Sequence, residues 1–214
     1  MVSYRIFDEY CDLYDKWYLE NRVIAENEVR AVGRLLRPGL SLEIGVGTGY
    51  FAWRLGVDLG VDPARRPLFK ARSRGVDVVQ AFGEKLPFRS GVFDNVLLIL
   101  TLSFLEKPSM VLKEAWRVLK KGGSIIVCTV PRDSVWGRYY EKLRREGKSV
   151  FFKYARLYSL REVEELVKRA GFKIEEYSAT LSSLEPVREE PSPIPSRRGF
   201  VCIRGVKRLT GSKA

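Results

Sequence analysis

Histidine is absent from this chain of 214 residues. Its absence excludes an imidazole general base, a Ser-His triad and His-ligated zinc. Cysteine is scarce. Cys11, Cys128 and Cys202 are far apart and odd in number, and the last two sit in strand-like runs. Buried free thiols are therefore expected rather than bridges. Side-chain amides are few as well: Asn21, Asn27, Gln80 and Asn95. With abundant Arg, Lys and Glu, that scarcity points to a heat-adapted, thermophile source. The longest apolar run, 96–100, is far too short to span a bilayer. Residues 1–8 carry neither the basic region nor the apolar core of a signal peptide. A cytoplasmic protein is expected.

Hydrophobic content of 45% and charged content of 30% suit a soluble globular chain able to bury a core. The net charge is +12. Such a surface attracts nucleic acid, phosphorylated metabolites or anionic lipid. The basic residues, however, are spread from Arg5 to Lys213 and not gathered into one tract. Surface adaptation is the preferred reading, and nucleic acid the second. The opposing sign is a local cluster of Arg197, Arg198, Arg204, Lys207 and Arg208.

The most informative stretch is Leu42-Glu43-Ile44-Gly45-Val46-Gly47-Thr48-Gly49. A short apolar strand runs into a turn with glycine at every second position, where bare backbone turns sharply and lets a ligand lie close. A dinucleotide fingerprint wants G-x-G-x-x-G, and here Tyr50 stands where the third glycine would be. A helical stretch, 51–55, and a second short strand, 57–61, follow, ending in Asp62. Strand, glycine loop, helix, strand and terminal carboxylate read as the nucleoside-binding half of a doubly wound sheet. Asp62 has a second reading as a helix cap beside Pro63, which itself can take the first helical position.

Strands and helices alternate onward: a helix from Pro63, strand 76–80, the continuously apolar strand 95–100, helix 109–120 closed by Gly122-Gly123, and strand 124–130. Ser159 to Glu162 is a capping box opening a helix that Gly171 closes. The pattern predicts an α/β fold with a mainly parallel sheet and helices on both faces. Residues 182–199, rich in proline, are either a substrate-side lid or a mobile loop.

In order and spacing, four segments resemble the class I S-adenosylmethionine-dependent methyltransferases of the single-domain kind. They are the glycine loop; Gly60-Val61-Asp62-Pro63; Gly83-Glu84-Lys85-Leu86-Pro87-Phe88 followed by Phe93-Asp94-Asn95-Val96; and the run from Glu114 to Gly123. The resemblance implies one doubly wound domain of seven strands, the last antiparallel. It divides as 1–37 helical lead-in, 38–130 donor-binding core, 131–158 acceptor-side insertion and 159–214 C-terminal helix and strands. S-adenosylmethionine is the implied donor, with no metal. Gly45, Gly47 and Gly49 would approach its aminoacyl part, Glu43 its ammonium, Asp62 its ribose hydroxyls, and Gly83 and Glu84 its adenine. Phe82 stands where the family carries an Asp that reads adenine, so stacking and a backbone N–H would replace that contact. Thr101 would lie near the sulfonium, or simply close the strand on backbone bonds.

Methyl transfer from a sulfonium is an in-line displacement that needs positioning and exclusion of water more than a strong base. Without histidine, amine or soft acceptors are favoured. Two signatures of base-methylating enzymes are missing: an Asn/Asp-Pro-Pro-aromatic run after the fourth strand, and a Pro-Cys dipeptide. Tyr14, Trp17 and Tyr18 stand three and four apart and would share one helix face. With Trp136 and Tyr139 they would form either an aromatic wall around the acceptor or ordinary packing of a helical lid. Tyr10 belongs with the first three, Tyr140 with Trp136 and Tyr139, and Phe151, Phe152, Tyr154 and Tyr158 make a third aromatic group. The expected function is methyl transfer to a small molecule. The alternatives are transfer to RNA or protein, a nucleoside-binding protein of other chemistry, and a non-catalytic donor-binding module.

Overall fold

The computed structural model describes residues 4–208. Residues 1–3 and 209–214, with Lys213 among them, lie outside the described residues. Three helices lead in: α1 (Tyr4–Glu9), α2 (Cys11–Glu20) and α3 (Arg22–Gly33). Then come β1 (Ser41–Ile44), α4 (Tyr50–Leu55), β2 (Leu59–Asp62), α5 (Arg65–Ser73), β3 (Asp77–Gln80), β4 (Phe93–Ile99), α6 (Pro108–Val118) and β5 (Leu119–Thr129). The chain finishes with α7 (Val135–Arg145), α8 (Leu160–Arg169), β6 (Phe172–Thr180) and β7 (Phe200–Lys207).

The seven strands form one sheet in the order β3-β2-β1-β4-β5-β7-β6. All neighbours are parallel except β7, which runs antiparallel to both β5 and β6. The expected topology, last strand included, is the one found. In β4 successive side chains feed opposite faces. Val96 and Leu98 join a core with α6 and α8, while Leu97 and Ile99 join a core with α3, α4 and α5. Val96, Leu97 and Leu98 are wholly buried, as a central strand covered on both sides requires. Strand order reverses between β1 and β4, and the crevice at their carboxyl ends is where such sheets take ligands.

Local expectations needed three corrections. Helix α6 does not run to Gly122-Gly123. It ends at Val118, and β5 starts at once. The two glycines lie in the strand, where pairing with β4 slips between Phe93 and Asn95 and Gly122 takes φ +77°, so they serve a bulge and not a helix stop. Pro63 does not open α5, whose N-cap is Ala64. The Asp62 carboxylate accepts the N–H of Ala64 at 2.8 Å and holds the chain extended for two more residues. Finally, Cys128 and Cys202 are not free thiols. They face one another across β5 and β7 and form a disulfide, a pairing set by a register between strands 74 residues apart. Cys11 is free and buried, and burial pushes its thiol up to about 11.

The capping box at Ser159 is complete, with both reciprocal hydrogen bonds to Glu162 present. Ser159→Ala is expected to cost about 1 kcal/mol and to lower the melting temperature by about 2–4 °C. A thermal melt of the variant checks this, and an unchanged midpoint would show the cap to be redundant.

Residues 182–199 have no helix of their own but are strapped to α3. The buried Asn27 side chain donates to the Val187 carbonyl at 2.7 Å and accepts the Glu189 N–H at 3.0 Å. Arg30 and Arg34 bind the carbonyls of Glu189 and Pro191. The segment thus runs along α3, and its residues Leu184 and Pro186 form part of a cavity wall. No helix among the described residues is long and apolar enough to cross a membrane.

Candidate active site

The site is built where β1 and β4 end. After β1 the chain enters the glycine loop with positive φ at Gly45 (+76°), Gly47 (+52°) and Gly49 (+75°). Each glycine has a different reason. A Cβ at Gly45 would lie 2.4 Å from the Thr101 side chain, and one at Gly49 would lie 2.8 Å from that of Ala71 on α5. Gly49 therefore lets α4 close on α5. A Cβ at Gly47 would meet only the ring of Tyr14, at 3.6 Å. This part of the loop is a bare backbone surface with an aromatic ring leaning over it.

Asp62, at the end of β2, braces that surface. One carboxylate oxygen accepts the Gly47 N–H at 2.9 Å and the other the Ala64 N–H. Each oxygen keeps lone-pair capacity for a further donor. Burial pushes its carboxyl up to about 6, against the pull of the two N–H groups. Glu43 is more deeply buried. Its Oε2 has no hydrogen-bond partner, and burial, with Asp62 nearby, raises its pKa well above the usual carboxylate range.

At the end of β4, Leu100 takes φ +59°, a conformation that costs a non-glycine residue about 1–3 kcal/mol. The turn folds Thr101 back over the first glycine. Its hydroxyl proton is shared between the carbonyls of Ile44 and Ile99, both at 3.1 Å. Thr101 is thus bonded to backbone, as its second reading expects, and it also lines the crevice.

The crevice opens into a cavity of about 1260 Å³. Of the residues expected at the donor, Gly45, Gly47, Asp62, Gly83, Glu84 and Thr101 line it, while Glu43 and Gly49 do not. Phe82 also lines it, half exposed and edge-on to Tyr4 at 5.4 Å. All five residues expected at the acceptor, Tyr14, Trp17, Tyr18, Trp136 and Tyr139, are in the lining. Tyr140, Phe151 and Phe152 from the other aromatic groups are there too, whereas Tyr10, Tyr154 and Tyr158 are not. Tyr158 packs in the core on the α6–α8 face.

Aromatic contacts tie remote segments into one roof. Phe7 of α1 meets Tyr14 at 5.3 Å, Phe104 at 4.9 Å and Phe151 at 5.4 Å. Tyr18 stacks on Tyr50 at 4.3 Å, and Tyr140 on Phe152 at 4.1 Å. The indole N–H of Trp136 is bonded to the Ser183 carbonyl at 2.7 Å, which fixes α7 to the 182–199 wall. Helix α2 is anchored at the glycine loop by Asp15. Arg74 clamps its carboxylate with two hydrogen bonds and also reaches the Thr48 carbonyl at 2.6 Å. Burial opposes the charge on Asp15, but the bonds from Arg74 and Thr48 prevail and hold its pKa below the usual value.

Two features escaped the sequence reading. One is this Asp15–Arg74 anchor. The other is Glu28 of α3, which lines the cavity while only 2% exposed, with an unpartnered Oε2. Burial pushes its carboxyl up to about 8. The spacing of Glu28 from Ile24 and Val32, both buried on α3, was the available signal.

The chain is similar to known proteins in both sequence and shape. The profile of a methyltransferase domain family matches residues 42–127. A solved structure from Thermotoga maritima, described as a SAM-dependent methyltransferase and possible histamine N-methyltransferase, superposes with a TM-score of 0.91. The two are 39% identical, covering 96% of this chain and all of that one. An uncharacterized protein of Methanocaldococcus jannaschii is 44% identical over 168 residues, covering 78% of this chain and 81% of its own length. A demethylmenaquinone methyltransferase of a Roseiflexus species is 34% identical over 104 residues, 44% of each chain. The glycine loop, the acid closing β2 and the 3-2-1-4-5-7-6 sheet agree with these likenesses, and the chain belongs to the class I S-adenosylmethionine-dependent methyltransferases.

Proposed function

We propose that this methyltransferase acts on a small molecule held in the same cavity as the donor. The observation that carries the reading is the cavity itself. Single-ligand clefts run to about 300–1,000 Å³, and this one, at about 1260 Å³, has room for two molecules end to end. Its two halves differ in chemistry. Bare backbone and Asp62 supply one part of the lining, and an aromatic wall from α2, α7 and residues 151–152 supplies the other.

The donor half suits the residues expected there. S-adenosylmethionine supplies a methyl group already activated on a sulfonium. The free lone pairs of Asp62 suit the vicinal hydroxyls of a ribose. The bare backbone at Gly45 and Gly47 admits the aminoacyl part. Phe82 offers an exposed ring face for adenine beside Gly83 and Glu84. Glu43 lies behind the lining, so it would reach the donor ammonium through water. Thr101, Tyr14 and Tyr18 stand between the halves, where they exclude water and set the line of attack.

A macromolecular acceptor is the second reading, and the +12 charge favours it. The cavity lining runs against that charge, with five acidic and three basic side chains. The test is tritiated-methyl transfer to a metabolite extract and to total RNA and protein, paired with filter binding to RNA over a salt series. Label is expected in small molecules. RNA binding is expected to be weak, sequence-blind and gone near physiological salt, since each neutralised phosphate releases counterions. Salt-resistant binding with label in RNA would overturn the reading.

A further inference from the structure

We infer that Glu28 is the acceptor-binding residue and that the acceptor is an amine with an apolar or aromatic body. The inference rests on the small-molecule reading and names the substrate class of that site. Glu28 sits in the middle of α3 and lines the aromatic half of the cavity. It is 98% removed from solvent, and its Oε2 has no hydrogen-bond partner. A buried carboxyl without a partner is costly unless something fills the place. Among the described residues no cation acts on it, and burial alone sets its pKa. The hydroxyls of Tyr14 and Tyr18 from α2, Tyr50 from α4 and Tyr140 from α7 lie within reach of its charge; burial chiefly, and Glu28 to a smaller extent, raises them above the ordinary phenol value. Two of those hydroxyls, on Tyr14 and Tyr18, bond one another at 2.7 Å.

A carboxylate ringed by aromatic faces is a receptor for an ammonium group. The carboxylate supplies the charge, the rings supply cation–π attraction, and the dry surroundings strengthen both. The placement also connects to the chemistry. The Tyr14 ring leans over Gly47, so the Glu28–Tyr18–Tyr14 group leads from the aromatic wall to the donor end. An ammonium held there gives its proton to the Glu28 carboxylate. The amine lone pair then forms the bond to the methyl carbon as the carbon–sulfur bond breaks and its electron pair stays on sulfur. The product leaves as a methylated ammonium, and Glu28 returns its proton to solvent. Such a sequence removes the need for the histidine base that this chain lacks.

The test is calorimetry on the full chain saturated with S-adenosylhomocysteine, using 2-phenylethylamine and its neutral counterpart 2-phenylethanol as probes. The amine is expected to bind at least about tenfold more tightly than the alcohol. In Glu28→Gln that preference is expected to vanish while affinity for S-adenosylhomocysteine stays within about twofold. Repeating the titration at pH 7 in buffers of different ionisation enthalpy is expected to show about one proton released per amine bound in the parent, because the cation ionises Glu28. The variant should release none. Equal binding of amine and alcohol to the parent would overturn the inference without any variant. Equal loss of amine and S-adenosylhomocysteine in Glu28→Gln would also overturn it, by placing Glu28 in the donor half. A neutral preferred acceptor in the tritium assay would overturn this inference alone. Label in RNA would overturn the small-molecule reading and this inference with it.

Discussion

Asp62→Ala is expected to weaken S-adenosylmethionine binding by about 10- to 150-fold, the ~1.5–3 kcal/mol carried by hydrogen bonds to a charged group. Two losses combine. The ribose hydroxyls lose their acceptor, and the Gly47 and Ala64 N–H groups lose the carboxylate that braces the loop. Asp62→Asn separates them, since its amide oxygen still accepts one backbone N–H while the second acceptor for the diol is gone. The pH dependence has a definite sign. Burial pushes the Asp62 carboxyl up to about 6, and a diol donating two protons selects the ionised form. Donor affinity should therefore be flat above about pH 6 and fall about tenfold per pH unit below it. In Asp62→Asn that slope should disappear. If Asp62→Ala binds the donor as well as the parent, Asp62 is only a brace for the loop.

The second large effect is on stability and comes from Glu28. Its carboxyl is pushed up to about 8 in the folded protein, against about 4.3 in an unfolded chain. The folded state thus holds the proton more tightly. The stability this contributes is fully present below about pH 4.3 and is lost as pH rises through 8. Glu28→Gln should accordingly be less sensitive to pH over that interval. At pH 8 it should exceed the parent by about 1–3 kcal/mol, the cost of an uncompensated buried polar group, or several degrees in melting temperature. The hydroxyls of Tyr14, Tyr18, Tyr50 and Tyr140 that face Glu28 are all raised, so they stay neutral throughout. Glu43 is present in both proteins and cancels in the difference. Parallel melting curves for parent and variant from pH 5 to pH 8 would contradict the burial of a titrating Glu28.

Much of the crevice around the glycine loop and Asp62 could be read from the chain because its signals are local. The glycine loop, the acid at the end of the next strand and the apolar run of β4 each lie within a few residues, and strand alternation orders them. The aromatic wall of the cavity was partly legible for the same reason. Tyr14, Trp17 and Tyr18 do share a face, and Trp136 and Tyr139 do join them in the cavity. What remained hidden depends on distant contacts. Glu28 stands in the polar run Glu26-Asn27-Glu28, which looks like a solvated helix face. It is nevertheless buried, on the cavity side of α3 among the hydroxyls of Tyr14, Tyr18, Tyr50 and Tyr140 from three other helices, a grouping that no local pattern specifies. The Cys128–Cys202 pair depends on the β5–β7 register, which no local pattern specifies. Gly122 and Gly123 fit a helix stop equally well until the slipped pairing with β4 assigns them to a bulge.

A crystal structure with S-adenosylhomocysteine bound tests the shared cavity most directly. The expected result is a ribose diol on Asp62, adenine against Phe82, and a sulfur that faces an open aromatic space bounded by Tyr14, Tyr18, Trp136 and Glu28. A product whose adenosine fills that aromatic space, leaving its sulfur turned toward the outer surface, would contradict the assignment of the two halves.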